Sequence, residues 1–145
     1  MSEKIDLDIA FANALLSNLP NSLYNPAIFV DKNNNIIDKI LNEFVIEVGE
    51  KGFVVIEIKK LADMRDFEKV IGSYSNKSFV LIIRNIHRYE ADTAFREMFV
   101  KIYNYAKENQ IQMIITTDRN IKDLRFDGRV YARLMSGVVA KITSV

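Results

Sequence analysis

The 145-residue sequence contains no cysteine, which excludes a disulfide framework, a thiol nucleophile and a Cys-ligated zinc site. It has one histidine, His87, so neither a multi-histidine metal centre nor a Ser-His-Asp triad stands out. Five glycines and two prolines leave little material for long loops. Neither charge sign dominates: 20 basic residues face 19 acidic ones, which argues against a protein that wraps nucleic acid through its overall charge. No apolar run is long enough to span a bilayer, and Met1-Ser2-Glu3-Lys4-Ile5-Asp6 lacks the apolar core of a signal peptide. The expectation is a cytoplasmic protein with no membrane contact. What the chain does have is apolar material, 49% of its residues, enough to bury the core of a single domain over residues 1–145.

The apolar residues fall into alternating helix and strand patterns. Asp8 to Leu19 reads as a short helix with Ile9, Ala12, Leu15, Leu16 and Leu19 on one face, stopped by Pro20. Ala27-Ile28-Phe29-Val30 reads as a buried strand, and Asp31-Lys32-Asn33-Asn34-Asn35 as a loop. Ile36, Ile37, Ile40, Leu41, Phe44 and Val45 then follow helical spacing, with Gly49 and Gly52 as breaks. Strands are predicted at Phe53–Ile58, Ser78–Ile83, Gln112–Thr117 and Val138–Ile142. Between them lie predicted helices at Leu61–Tyr74, interrupted near Asp63, at Asp92–Glu108 and at Asp127–Met135. Phe95, Met98, Phe99, Ile102 and Ala106 form the apolar stripe of the clearest of these. Phe95, Phe99, Tyr103 and Tyr105 read as core packing, not as a cofactor box. Five strands alternating with helices imply an α/β three-layer sandwich with a five-stranded, mainly parallel sheet. Ligands of such sheets bind beyond the carboxyl ends of the strands, here the loops starting at Asp31, Lys59, Arg84 and Asp118.

Those loops carry a pattern in a fixed order. Phe79-Val80-Leu81-Ile82-Ile83-Arg84-Asn85-Ile86-His87 resembles a Walker B strand and the turn after it. Gln112 to Arg119, with Thr116-Thr117-Asp118-Arg119 at its end, resembles a sensor 1 strand. Gly128 to Val139 resembles an arginine-finger segment, with Arg129 and Arg133 four apart before Gly137 and a strand. Together with Asn25-Pro26-Ala27-Ile28-Phe29, these segments resemble the ATPase domain of the DnaA/Hda-like family, the bacterial replication initiators and their regulators within the AAA+ class. The resemblance runs from about Phe11 to Ile142. It implies a P-loop NTPase fold of AAA+ type. It also implies that Arg133, and less strongly Arg129, face a partner, since the finger reaches a neighbouring subunit's phosphate.

The departures from the family pattern fall on its chemistry. A P-loop needs glycines so that backbone N–H groups can curl around phosphates, a lysine for the phosphate charge and a hydroxyl for magnesium. The loop Asp31, Lys32, Asn33, Asn34, Asn35 has no glycine, and Ile37 stands at the lysine position. Asparagine tolerates a left-handed turn, but Asp31 adds negative charge where a triphosphate would sit. The paired acidic residues of the Walker B turn are replaced by Arg84 and Asn85, which reverses the sign beside a metal. The expectation is therefore a degenerate, non-enzymatic core with no cofactor, no metal and no catalytic residue. Because the sequence ends at Val145, the helical lid and the DNA-binding domain of the family are expected to be lacking.

The implied function is replication initiation or its regulation through protein–protein binding, with an initiator or another replication protein as partner. A sliding clamp is a further candidate partner, since Ile5, Leu7 and Ile9 alternate as in a clamp-docking peptide, although Lys4 replaces the usual glutamine. DNA binding through the basic second half is the weaker alternative, because acidic residues are interspersed there, and a minimal unorthodox ATPase is weaker still. His87 reads as a turn or packing residue. Thr116, Thr117 and Asp118 read as caps of the turn and the next helix. The bland alternative for Arg133 is a surface pairing with Asp127.

Overall fold

The computed structural model describes residues 25–33, 35–74 and 78–142. The predicted helix at 8–19 and the clamp-like segment lie outside them. The described chain runs β1 (Ala27–Asp31), α1 (Asn35–Glu50), β2 (Val54–Ile58), α2 (Leu61–Arg65), α3 (Phe67–Gly72), β3 (Phe79–Ile83), a 3-10 turn (Ile86–Tyr89), α4 (Thr93–Glu108), β4 (Gln112–Thr117), a second 3-10 turn (Ile121–Asp123), α5 (Gly128–Leu134) and β5 (Val138–Ile142). The five strands form one sheet in the order β2-β3-β4-β1-β5. Every neighbouring pair is parallel.

Period-two alternation sends successive strand residues to opposite faces. Ile28, Val30, Leu81, Ile83, Met113 and Ile115 pack under the helices that follow β2, β3 and β4, against Phe67, Phe95 and Phe99. Ala27, Phe29, Val80, Ile82 and Ile114 face the other way and meet Ile37, Leu41, Phe44 and Val48 of α1. Both faces are covered, so every residue of β1 and β4 is buried, which explains why these strands read as unbroken apolar runs. The aromatic stripe of α4 is core: Phe95 stacks on Tyr89 at 4.5 Å, and Phe67 meets Tyr105 edge-on at 5.7 Å.

Several boundaries differ from the sequence reading. Asp31 belongs to β1 and Asn35 opens α1, so the turn between them is tighter than the predicted loop. Gly49 lies inside α1, and the break falls at Gly52, whose φ of +95° is in the left-handed region that favours glycine. The helix at 61–74 is interrupted at Asp66, not near Asp63. Asp63 instead accepts hydrogen bonds from the backbone N–H of Lys59 and Lys60, at 2.9 and 3.2 Å, and so fixes the start of α2. Asp92 and Asp127 precede their helices as N-caps, accepting from Phe95 N and Val130 N at 3.1 Å each.

The start of β1 is clamped from the side. Asn25 Nδ2 donates to Ile111 O at 2.7 Å, and its Oδ1 accepts from Met113 N at 2.9 Å, tying β1 to β4. Across the sheet, Val138 N donates to Pro26 O at 3.0 Å. That approach is possible because residue 137 has no side chain: a Cβ there would lie 1.8 Å from Pro26 O. Gly128, at the first turn of α5, has open space around it. Gly137→Ala is therefore expected to lose about 1–3 kcal/mol or more in urea unfolding, while Gly128→Ala changes stability by less than about 1 kcal/mol and in the stabilising direction.

Candidate functional site

The carboxyl ends of β1, β3 and β4 lie side by side in the sheet, and the residues singled out by sequence sit on the turns that leave them. β1 ends on Asp31, an acid that is only 2% exposed. Its Oδ2 accepts from the backbone N–H of Ile36 and Ile37 at 3.0 Å each, and its Oδ1 from Asn33 N at 3.2 Å. The first amides of a helix have no partners within it and carry its positive end. In a P-loop fold these are the groups that hold phosphate. Here the chain's own carboxylate holds them. Lys32 and Asn33 are exposed on the turn, and Asn34 lies outside the described residues.

Arg84 leaves the end of β3 and is held on three sides. Its Nε meets Glu57 of β2, Nη1 meets Asp38 at 3.1 Å, and Nη2 donates to Asn42 Oδ1 at 3.0 Å. Charge-assisted contacts of this kind lock the planar guanidinium in one orientation. They also engage the two carboxylates nearest the Walker B position, which would otherwise be the candidate ligands for a cation. No group of three or more His, Asp or Glu suited to a metal occurs among the described residues. Sequence reasoning missed Asp38, Asn42 and Glu57. Glu57 was the legible clue, as the one charged residue in the run Val54-Val55-Ile56-Glu57-Ile58.

Asn85 takes a left-handed conformation (φ 59°, ψ 52°), and its N–H donates to Thr116 Oγ1 at 2.9 Å. Thr117 Oγ1 lies 3.2 Å from His87 Nδ1. Asp118 N donates to the same nitrogen at 3.4 Å, and Asp118 Oδ1 is 3.3 Å from it. Hydroxyl and carboxylate thus meet one ring nitrogen, whereas a proton relay needs them on opposite ones. Thr117 is also fully buried. His87 is a packing residue of the turn, although it does have a carboxylate beside it in space. Burial pushes its imidazole below the ordinary value of 6.5, with Asp118 opposing. The hydrogen bond from Arg119 holds the Asp118 carboxyl below the usual range. The expected capping role of Thr116, Thr117 and Asp118 is corrected here. They tie the end of β4 to the β3 turn, and the next 3-10 turn starts after Asn120, whose side chain makes no capping hydrogen bond.

The two arginines of α5 differ in their contacts within the chain. Arg133 does not pair with Asp127. Its guanidinium lies 5.5 Å from the Tyr103 ring centre and donates to Arg129 O at 3.0 Å and Asn104 Oδ1 at 3.4 Å, packing it onto α4. Arg129 makes the contact with Asp127, at 3.4 Å, and its side chain is 61% exposed. Elsewhere in the basic half, Arg119 pairs with Asp118 and Glu90, and Arg96 donates to the carbonyls of Glu90 and Arg125. That surface is mixed in charge.

The family model described as the bacterial DnaA ATPase domain matches residues 8–141. The chromosomal replication initiator protein DnaA of Ureaplasma parvum serovar 3 is 30% identical over 92 residues, which is 63% of this chain and 19% of that protein. Among solved structures, AMPPCP-bound DnaA from Aquifex aeolicus aligns over 98% of this chain and 47% of its own, with 20% identity and a TM-score of 0.77. Domain III of Thermotoga maritima DnaA aligns over 92% of this chain and 62% of its own, with 22% identity and a TM-score of 0.69. A replication initiator DnaA bound to AMPPCP and single-stranded DNA aligns over 92% and 44%, with 20% identity and a TM-score of 0.74. At these identities the structural likeness establishes the fold, a P-loop NTPase core of AAA+ type. The chain spans about a fifth of the length of the curated relative and under half that of the Aquifex aeolicus structure.

Two outcomes are expected. Asp31→Ala removes the acceptor of three backbone N–H groups and should lower stability by about 2 kcal/mol in denaturant unfolding, with Asp31→Asn losing less. His87 is the chain's one histidine, so its proton NMR titration is unambiguous and should have a midpoint below 6.5. Since folding depresses this value, the unfolded chain takes up the proton first as pH falls. The His87 contribution to stability is full above about 6.5 and is lost as pH drops from there through the folded-state midpoint.

Proposed function

The chain belongs to the bacterial DnaA ATPase-domain family, and we propose that it is a non-catalytic member that acts in replication initiation or its regulation by binding other proteins. The observation that carries this reading is the Asp31 carboxylate on the first amides of α1. A triphosphate at this turn would have to displace an acceptor that is already bonded, and would face its charge. Repulsion between unit charges about 4 Å apart near a protein surface is roughly 4 kcal/mol. The second support is Arg84, which places a paired cation where magnesium would need free carboxylates. Loss of nucleotide chemistry leaves the rest of the sheet and α5 intact as a surface for an initiator or another replication protein, while a sliding clamp would be met through the segment of Ile5, Leu7 and Ile9. On α5 and at its end, Arg129, which is 61% exposed beside Asp127, and the exposed Tyr131 and Met135 are the part presented to a partner.

The DNA-binding alternative draws on the relative solved with single-stranded DNA. Against it stand the acidic partners of the basic half, Asp118 and Glu90. Binding to single strands that falls steeply with salt would favour it.

Calorimetry with magnesium-ATP is expected to show no micromolar binding, and incubation with ATP no phosphate release. Magnesium-dependent micromolar binding would contradict the reading. In a pull-down with purified initiator and purified sliding clamp, one of the two should be retained. Arg129→Ala should weaken retention of the initiator without moving the unfolding midpoint, whereas failure to retain the initiator would remove the role proposed for α5.

A further inference from the structure

Beside the blocked turn, the sheet has a second opening at its carboxyl edge. Between the ends of β2 and β3 lies a cleft of about 360 Å³, lined among others by Asn42, Glu57, Lys59, Arg84, Arg88 and Tyr89. It is displaced from the β1–α1 turn by the strand order, since β4 stands between β1 and β3. Clefts at the carboxyl ends of parallel strands are where such sheets take ligands, and this volume is at the small end of ligand sites.

The cleft has a fixed wall and free donors. Arg84 is part of the wall, its guanidinium committed to Glu57, Asp38 and Asn42. Glu57, the one acid among the described lining residues, shares that guanidinium with Asp38, so its charge is partly offset. Lys59 and Arg88 are exposed, and among the described residues neither side chain has a hydrogen bond or ion pair. Asn42 adds a third donor by elimination: arginine only donates, so the atom of Asn42 that faces Arg84 is its oxygen, and its NH₂ group is turned elsewhere. Two uncommitted cations and one amide donor, beside an acid that is already paired, suit a compact anion of two charges.

We propose that this cleft is a binding site for a phosphomonoester, with Lys59 and Arg88 as the charged contacts and Asn42 as a neutral donor. The phosphoryl dianion carries close to two charges at neutral pH and accepts several hydrogen bonds at once. A carboxylate would leave one of the two cations unpaired. The site owes nothing to the α1 amides and needs no magnesium. It therefore stands or falls separately from the non-catalytic reading.

The test is calorimetry on the full chain at low salt without magnesium, using inorganic phosphate and glycerol phosphate as probes. Millimolar or tighter binding of both is expected. Lys59→Gln and Arg88→Gln should each weaken it by about tenfold or more. Both residues are exposed, so the unfolding midpoint should stay unchanged and exclude a folding defect. A short single strand with a terminal phosphate should bind through that group, and the same strand without it should not. Absence of phosphate binding, binding indifferent to both substitutions, or equal binding of the unphosphorylated strand would each overturn the proposal. Magnesium-ATP binding that survives both substitutions would overturn the non-catalytic reading instead.

Discussion

Three backbone hydrogen bonds to one buried carboxylate set the character of this molecule. The parallel sheet brings the end of β1 beneath the start of α1, and the helix presents N–H groups that nothing in the helix can satisfy. A P-loop leaves them open by curling glycine-rich backbone around an anion from outside. Here Asp31 supplies the anion from inside. The arrangement satisfies N–H groups at the helix end and, on the proposed reading, offsets the positive end on which phosphate binding depends. Arg84 completes the change two strands away. By holding Glu57 and Asp38 it puts a bound cation at the Walker B position and joins β2, β3 and α1 through one side chain.

The parts of the fold legible in sequence were those governed by periodicity. Gln112–Thr117 is read without error because a parallel strand buried on both faces is a short apolar run, and Val138–Ile142 because its β-branched apolar residues follow Gly137 at the sheet edge. The stripe Phe95, Phe99, Ile102, Ala106 likewise becomes the buried face of α4. Boundaries were harder. Gly49 invites a break that the helix ignores, because nothing crowds its surface position and the rest of α1 is anchored by Leu41, Phe44 and Val48. Asp63 was located correctly as a special position and assigned the wrong effect: its carboxylate starts α2 instead of interrupting it.

The site was half legible. That Asp31 and Arg84 differ in charge from the family's phosphate and magnesium ligands is read from the sequence alone. That each is satisfied by its own chain is not, because the partners Asp38, Asn42 and Glu57 come from elements distant in sequence. The arginines of α5 show the same limit. Four-residue spacing places Arg129 and Arg133 on one side of a helix, yet only the tertiary position of Tyr103 decides that Arg133 folds back onto α4 while Arg129 stays exposed. The nearness of His87 to Asp118 was similarly out of reach, since 31 residues separate them and only the adjacency of β3 and β4 joins them.

The central claim is that the amides at the start of α1 are occupied. It is tested most directly by following the backbone N–H resonances of Asn33, Ile36 and Ile37 during a titration with magnesium-ATP. The account predicts that these three stay in place up to millimolar nucleotide, whatever happens at the β2–β3 edge. Saturable movement of all three at micromolar nucleotide would show that phosphate displaces the Asp31 carboxylate, and would contradict it.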